Sequence, residues 1–249
     1  MHIANLQGIG RTEMTEAMDR TDKKMDRTDE EIFNFAYELA LRDAVNQTAF
    51  NGIGKGSKTR LRGCVAAKRK VKNYIGQIFA GNNPDFYDFA KPVEEAFACY
   101  NTEPEHGVFK FGNTQKLINM TAKYMFMATY NRQELRENFK CCHCPMDNQL
   151  INKVAKYVGL LVEEYQEITM EAAEEMLKDY AGKRKKIGDW VKLESFGWSK
   201  LNSEEGRAIY DTYQETIRFL SSNATILKKH IGVDSPLSPL EFDFYAWGK

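Results

Sequence analysis

The chain has 249 residues, 43% hydrophobic and 28% charged, with 35 basic and 35 acidic side chains. That length can bury a real core, as one large domain or two small ones. Zero net charge argues against a surface basic all over but leaves room for a local basic face, and no apolar run nears the roughly 20 residues that cross a bilayer.

The first 20 residues lack a basic segment followed by an apolar one, so no secretory leader is expected there. The phrase MDRTD occurs at Met18–Asp22 and again at Met25–Asp29. Met18, Met25 and Ile32 fall at heptad spacing, which predicts an amphipathic helix with a narrow stripe. The stripe is too short for a coiled coil and reads as a surface helix packed on the domain. From Glu31 to Gln47 the pattern strengthens, with Ile32, Phe35, Ala36, Leu39, Ala40 and Ala44 on one face and Asn51-Gly52 as the stop.

Lys55–Lys72 carries eight Lys/Arg and no acid. Lys58, Arg60, Arg62, Lys68 and Arg69 could form a phosphate-facing strip, because each neutralised phosphate releases counterions. A solvated basic face explains the run equally well. Gly52–Thr59 nearly matches a P-loop, but Ser57 stands where the second glycine belongs and no hydrophobic strand precedes it, so nucleotide hydrolysis is not expected.

Val71–Ala80 is helical in pattern, Asn82-Asn83-Pro84 breaks it, and Pro84–Tyr100 is a shorter helix rich in aromatics. Asn101–Gly107 is a polar loop. Phe111-Gly112-Asn113-Thr114 then signals a turn leading into a helix whose apolar residues include Leu117, Ile118, Met120, Tyr124 and Met127. A second turn, His143-Cys144-Pro145, leads to Asp147 at the mouth of a strongly amphipathic helix, Gln149–Tyr165. Thr169 caps another helix, and Lys183–Lys186 is a second basic cluster. Leu201-Asn-Ser-Glu-Glu opens a long helix over Glu205–Asn223, and the tail ends in Glu241–Trp247, apolar enough to pack back onto the body.

Strand signals are nearly missing. The expected fold is all-α: a compact body of roughly ten helices with a hairpin-turn-helix element at 109–127. It forms one domain, or two tightly packed lobes, about 30–108 with the C-terminal part and about 109–180.

Two clusters could carry chemistry. Cys141, Cys142, His143 and Cys144 cannot all converge on one tetrahedral metal, and no second ligand pair follows, so no metal site is expected. His143 is too close in sequence to serve these thiols as a base, and neither His106 nor His230 lies in a recognisable motif. Buried, reduced cysteines, an odd number of them, suit a cytoplasmic protein. The second cluster is Lys116 with Asn119, three residues apart on one side of a helix with apolar neighbours. A lysine there can lose its proton through desolvation and act as a nucleophile, or it can snorkel to water. Spacing leaves both open.

GNTQKLINM resembles the segment of the helix-hairpin-helix DNA glycosylase superfamily in which a glycine turn leads into a helix bearing Lys-x-x-Asn. HCPMDNQLI resembles that superfamily's Pro-x-Asp motif, where the aspartate begins a helix. The resemblance implies a two-lobed helical fold acting on double-stranded DNA with an altered base flipped out of the stack, without a cofactor. It implies that Asp147 stabilises the cationic sugar and that Lys116 attacks C1′ to form a Schiff base. Gly112, Asn113, Thr114 and Gln115 would hold a phosphate at the helix start, and Asn119 and Tyr124 would face the base. Lys110, the basic run and Lys183–Lys186 would grip the backbone without reading sequence. Which base is excised, and whether for repair or antiviral defence, stays open. The rival reading is a non-catalytic helical nucleic-acid-binding protein using residues 55–72.

Overall fold

A computed structural model describes residues 25–45, 58–98, 109–178 and 201–248. The Met18 heptad position, the near-P-loop turn, the loop at 101–107, and Lys183–Lys186 lie outside the described residues. Those residues form ten α-helices and no strand: α1 Arg27–Val45, α2 Lys58–Phe79, α3 Phe86–Ala96, α4 Phe111–Ala128, α5 Gln133–Asn138, α6 Asn148–Glu163, α7 Met170–Lys178, α8 Glu204–Ser222, α9 Ala224–Ile226 and α10 Pro239–Trp247. None of the described helices is long and apolar enough to cross a membrane.

The second MDRTD phrase does local work. Asp26 Oδ1 accepts from Asp29 N (2.8 Å) and Asp29 Oδ2 from Asp26 N (3.3 Å), a reciprocal cap that starts α1. The buried face of α1 is Phe33, Ala36, Tyr37, Ala40, Leu41 and Ala44. This corrects the expected face: Phe35 is 67% exposed. The alanines at 36, 40 and 44 recur at one-turn spacing and let α1 lie close against α4, its most extensive partner. Asn113 Nδ2 donates to Ala44 O across that contact (2.7 Å).

α2 packs chiefly on α3. Gly63 allows the approach, because a Cβ there would stand 2.8 Å from Phe97 Cδ1. Leu150, Ile151, Val154, Val158 and Leu161 of α6 are all buried, as their spacing predicts. Ser203 caps α8 through Gly206 N (3.0 Å), and Thr169 caps α7 through Ala172 N (3.1 Å).

The tail does pack back, as the helix α10. Its start is a capping box: Ser238 Oγ accepts from Glu241 N (3.3 Å) and Glu241 Oε2 from Ser238 N (2.8 Å), with Pro239 at the first helical position. The buried apolar side chains from Met25 to Ala246 belong to one core. The α1–α4 interface joins the segments about 30–108 and about 109–180. The expected turn at 111–114 is also different: α4 begins at Phe111, so Gly112, Asn113 and Thr114 form the first turn of the helix.

Candidate active site

Lys116, Met120, Lys123, Tyr124 and Met127 follow one another along one face of α4 at helical spacing, and all five line a cavity of about 840 Å³. α1 contributes Asp43 near its end. Asp147 and Gln149 come from the start of α6, and Phe244, Tyr245, Trp247 and Gly248 from α10. Lys116 and Asp147 therefore meet in one cleft although different helices carry them.

Asp147 is the N-cap of α6: its Oδ1 accepts from Leu150 N at 2.9 Å. The irregular chain before it, His143–Met146, makes no backbone ladder, so its buried peptide groups need side-chain partners. Gln214 of α8 supplies two, accepting from Cys144 N (2.9 Å) and donating to Cys144 O (2.8 Å). Gln115 treats Met146 the same way, accepting from Met146 N at 3.2 Å with Nε2 3.5 Å from Met146 O. Tyr213 Oη donates to Pro145 O (3.2 Å), and Asn119 Nδ2 donates to Tyr210 Oη (2.7 Å) and Cys144 O (3.2 Å). These groups fix where the Asp147 carboxylate emerges.

That arrangement corrects several expected roles. Gln115 and Asn119 are wholly buried, and their amides hold the 144–146 backbone instead of DNA phosphate or a base. Gly112 N donates to Asn202 Oδ1 (3.2 Å), Asn113 is bonded to α1, and Thr114 is wholly buried with its hydroxyl unpartnered. The first turn of α4 is thus a core element, not a phosphate cradle. Only Lys110, its N-cap residue, is exposed there. Tyr124 does line the cavity, where its hydroxyl donates to Asp43 Oδ2 at 2.6 Å.

Burial lowers the Lys116 pKa from the usual ammonium range; Asp147 and Asp43 oppose this by favouring the charged form, and Lys123 adds to the lowering. Lys123 Nζ lies 2.7 Å from Asp243 Oδ2 and 5.2 Å from the centre of the Trp247 ring. Asp243 is wholly buried, and burial pushes its pKa up to about 6; Lys123 opposes that rise and Asp147 assists it. Burial first, and then its bond to Asp43, raises the Tyr124 hydroxyl.

In the basic run, Lys58 and Arg60 stand in the first turn of α2, and Arg62 and Arg69 are exposed. Lys68 pairs with Glu38 (3.2 Å) and Lys72 with Glu30 (2.9 Å), so part of the run ties α2 to α1. Cys141, Cys142 and Cys144 are free thiols. The Cys144 thiol donates to Pro239 O (2.7 Å). His143 stacks on Phe86 and has Nδ1 2.9 Å from Tyr210 Oη. Burial, with Arg218 nearby, lowers its pKa to about 3, so the ring is neutral. Among the described residues no group of three or more His, Cys, Asp or Glu is placed to hold a metal ion.

The sequence reading misses Asp43, Lys123, Asp243 and the aromatic wall of α10. One signal was present: Lys123 lies seven residues beyond Lys116, two turns along the same helix face. Comparison with protein-family models, with curated proteins and with solved structures gives no match.

Proposed function

We propose that the chain is a DNA glycosylase with an associated strand-cleaving step, acting on duplex DNA that carries an altered base. The observation that supports this best is the shared cavity of Lys116 and Asp147, whose walls include Tyr124, Phe244, Tyr245 and Trp247. Its volume lies within the range of about 300–1,000 Å³ usual for small-molecule pockets, and aromatic walls suit a base taken out of the stack.

The chemistry follows from the groups present. One oxygen of Asp147 is held by Leu150 N–H, which leaves the other to face the positive charge that develops at C1′ as the glycosidic bond breaks. The bond's electron pair leaves with the base, which takes a proton. The unprotonated Lys116 amine adds to C1′ and gives up a proton. Opening of the C1′–O4′ bond, with protonation of O4′, yields the Schiff base. Loss of a C2′ proton then expels the 3′ phosphate and cuts the strand.

Arg62, Arg69 and Lys110 are exposed cations suited to the sugar–phosphate backbone. Purely non-catalytic binding by the 55–72 run has less support, since Lys68 and Lys72 are engaged by glutamates of α1. The test is base release from duplexes carrying a panel of oxidised, alkylated and otherwise modified bases. Native protein should release at least one, and Asp147→Asn should abolish that release. No release from any member of the panel sinks the proposal.

A further inference from the structure

The excision chemistry uses only one of the two lysines in the cavity. Lys123 sits two turns beyond Lys116 on α4, 2.7 Å from Asp243 Oδ2 and over the Trp247 ring. Asp243 lies wholly buried on α10 beside Phe242 and Leu240, and its Oδ1 has no hydrogen-bond partner. Taking such a carboxylate out of water is unfavourable, and an apolar residue would serve the core at least as well. What the pair does provide is register between α10 and α4, two helices that otherwise touch little, since α10 packs chiefly on α6 and α8.

Three further contacts hold that register. Arg136 pairs with Glu241 (2.5 Å), the Cys144 thiol bonds Pro239 O (2.7 Å), and the hydroxyls of Tyr130 and Tyr245 meet at 3.2 Å. So held, α10 presents Phe244, Tyr245 and Trp247 to the cavity that Lys116 lines. Phe244 and Trp247 remain 44% and 48% exposed, unusual for large apolar rings and suited to the wall of a site.

We propose that α10, locked in register by the Lys123–Asp243 pair, is the element that makes Lys116 an amine nucleophile by walling water away from it. Lys123 and Asp243 are positioning residues. The inference deepens the excision reading and rests on Lys116 being its reacting amine. The charged groups facing Lys116 are Asp147 from α6, Asp43 from α1 and Lys123 from its own helix. The two carboxylates favour the ammonium form, so a neutral amine depends on burial, with Lys123 acting in the same direction. Of the four aromatic rings that line the cavity with Lys116, three belong to α10.

Competitive labelling of the full chain tests this without DNA. Trace acetic anhydride is applied from neutral to alkaline pH, and acetylation of Lys116 and of a short unstructured lysine peptide added as standard is followed by mass spectrometry. The amine displaces acetate, which leaves with the bond's electron pair, and the ammonium proton passes to buffer. Each profile is scaled to its alkaline plateau, so access cancels and the inflexion reports protonation. In the native chain Lys116 should inflect below the standard. In Trp247→Ala, which deletes a half-exposed ring and spares the core, the Lys116 inflexion should rise toward that of the standard. Trp247→Phe should bring it back, and Lys123→Arg should keep it while Lys123→Gln raises it. A native Lys116 that titrates with the standard, or an inflexion indifferent to Trp247→Ala, overturns the proposal. An inflexion that moves as expected while no base is released leaves the role of α10 standing and removes the excision reading. An unmoved inflexion with base release intact does the reverse.

Discussion

The aim of Asp147 depends on a peptide clamp at Cys144, and Gln214→Ala tests it. Gln214 is 2% exposed, and its amide is the acceptor for Cys144 N–H and a donor to Cys144 C=O. Truncation orphans the buried N–H, which costs about 1–3 kcal/mol, and removes one bond from a carbonyl that keeps Asn119, about 0.5–1.5 kcal/mol. The total is about 3 kcal/mol, a large share of a typical domain's stability of roughly 5–15 kcal/mol. Urea unfolding followed by far-ultraviolet circular dichroism reads this loss directly in an all-helical protein. Gln214→Glu sharpens the test: its carboxylate keeps the volume and the bond from Cys144 N–H but turns a lone pair toward Cys144 C=O. A clamp predicts that the glutamate variant is also clearly destabilised, whereas simple packing predicts near neutrality. A loss below about 1 kcal/mol for Gln214→Ala would refute the reasoning.

Two desolvated groups set opposite pH slopes. Asp243 has a folded pKa raised to about 6, so the stabilisation from its protonation is full below the ordinary carboxylate range and is lost as pH rises through about 6. The unfolding free energy of the native chain minus that of Asp243→Asn should fall over this window, and a flat difference contradicts it. His143 has a folded pKa lowered to about 3, so the contribution of its neutral ring is present above about 6.5 and is lost as pH falls toward 3. At pH 5 its imidazole nitrogens should show neutral chemical shifts by NMR, and an imidazolium signature would contradict the desolvated ring stacked on Phe86. Gly63→Ala should destabilise by about 1–3 kcal/mol through the clash with Phe97. Gly76→Ala in the same helix, with nothing within 4 Å, should stabilise by about 0.5–1 kcal/mol; equal effects at both sites would refute the close-approach argument. Arg62→Ala with Arg69→Ala should weaken duplex binding and reduce its salt dependence without changing the rate of base release at saturating protein.

Much of the helical framework is legible because it is written locally. α6 and α8 carry long apolar stripes, and Ser203, Thr169 and Asp147 announce helix starts by side-chain type. The α10 start, Ser238-Pro239-x-Glu241, is a capping box with proline at its first position that was not expected from the sequence. The face of α1 was not: Phe35 competes with Phe33 and Tyr37 for the core, and tertiary fit to α4 decides among aromatics of equal hydrophobicity. Lys116 and Asp147 stand out in the sequence because each follows a turn signal, although α4 starts at Phe111 and places Lys116 in its second turn. Gln115 and Asn119 look like surface groups of a binding motif in the sequence. They are buried because the irregular chain at 143–146 has peptide groups that no backbone partner satisfies. The Lys123–Asp243 pair was invisible because its members lie on α4 and α10, far apart in sequence, and no local period links them.

In the proposed reaction Lys116 and Asp147 work together on one flipped nucleotide. Borohydride trapping of the full chain on duplexes bearing altered bases tests it most directly. The account predicts a covalent protein–DNA adduct with native protein, none with Lys116→Gln despite retained duplex binding, and loss of base release with Asp147→Asn. An adduct that forms equally well with Lys116→Gln, or base release untouched by Asp147→Asn, would contradict it.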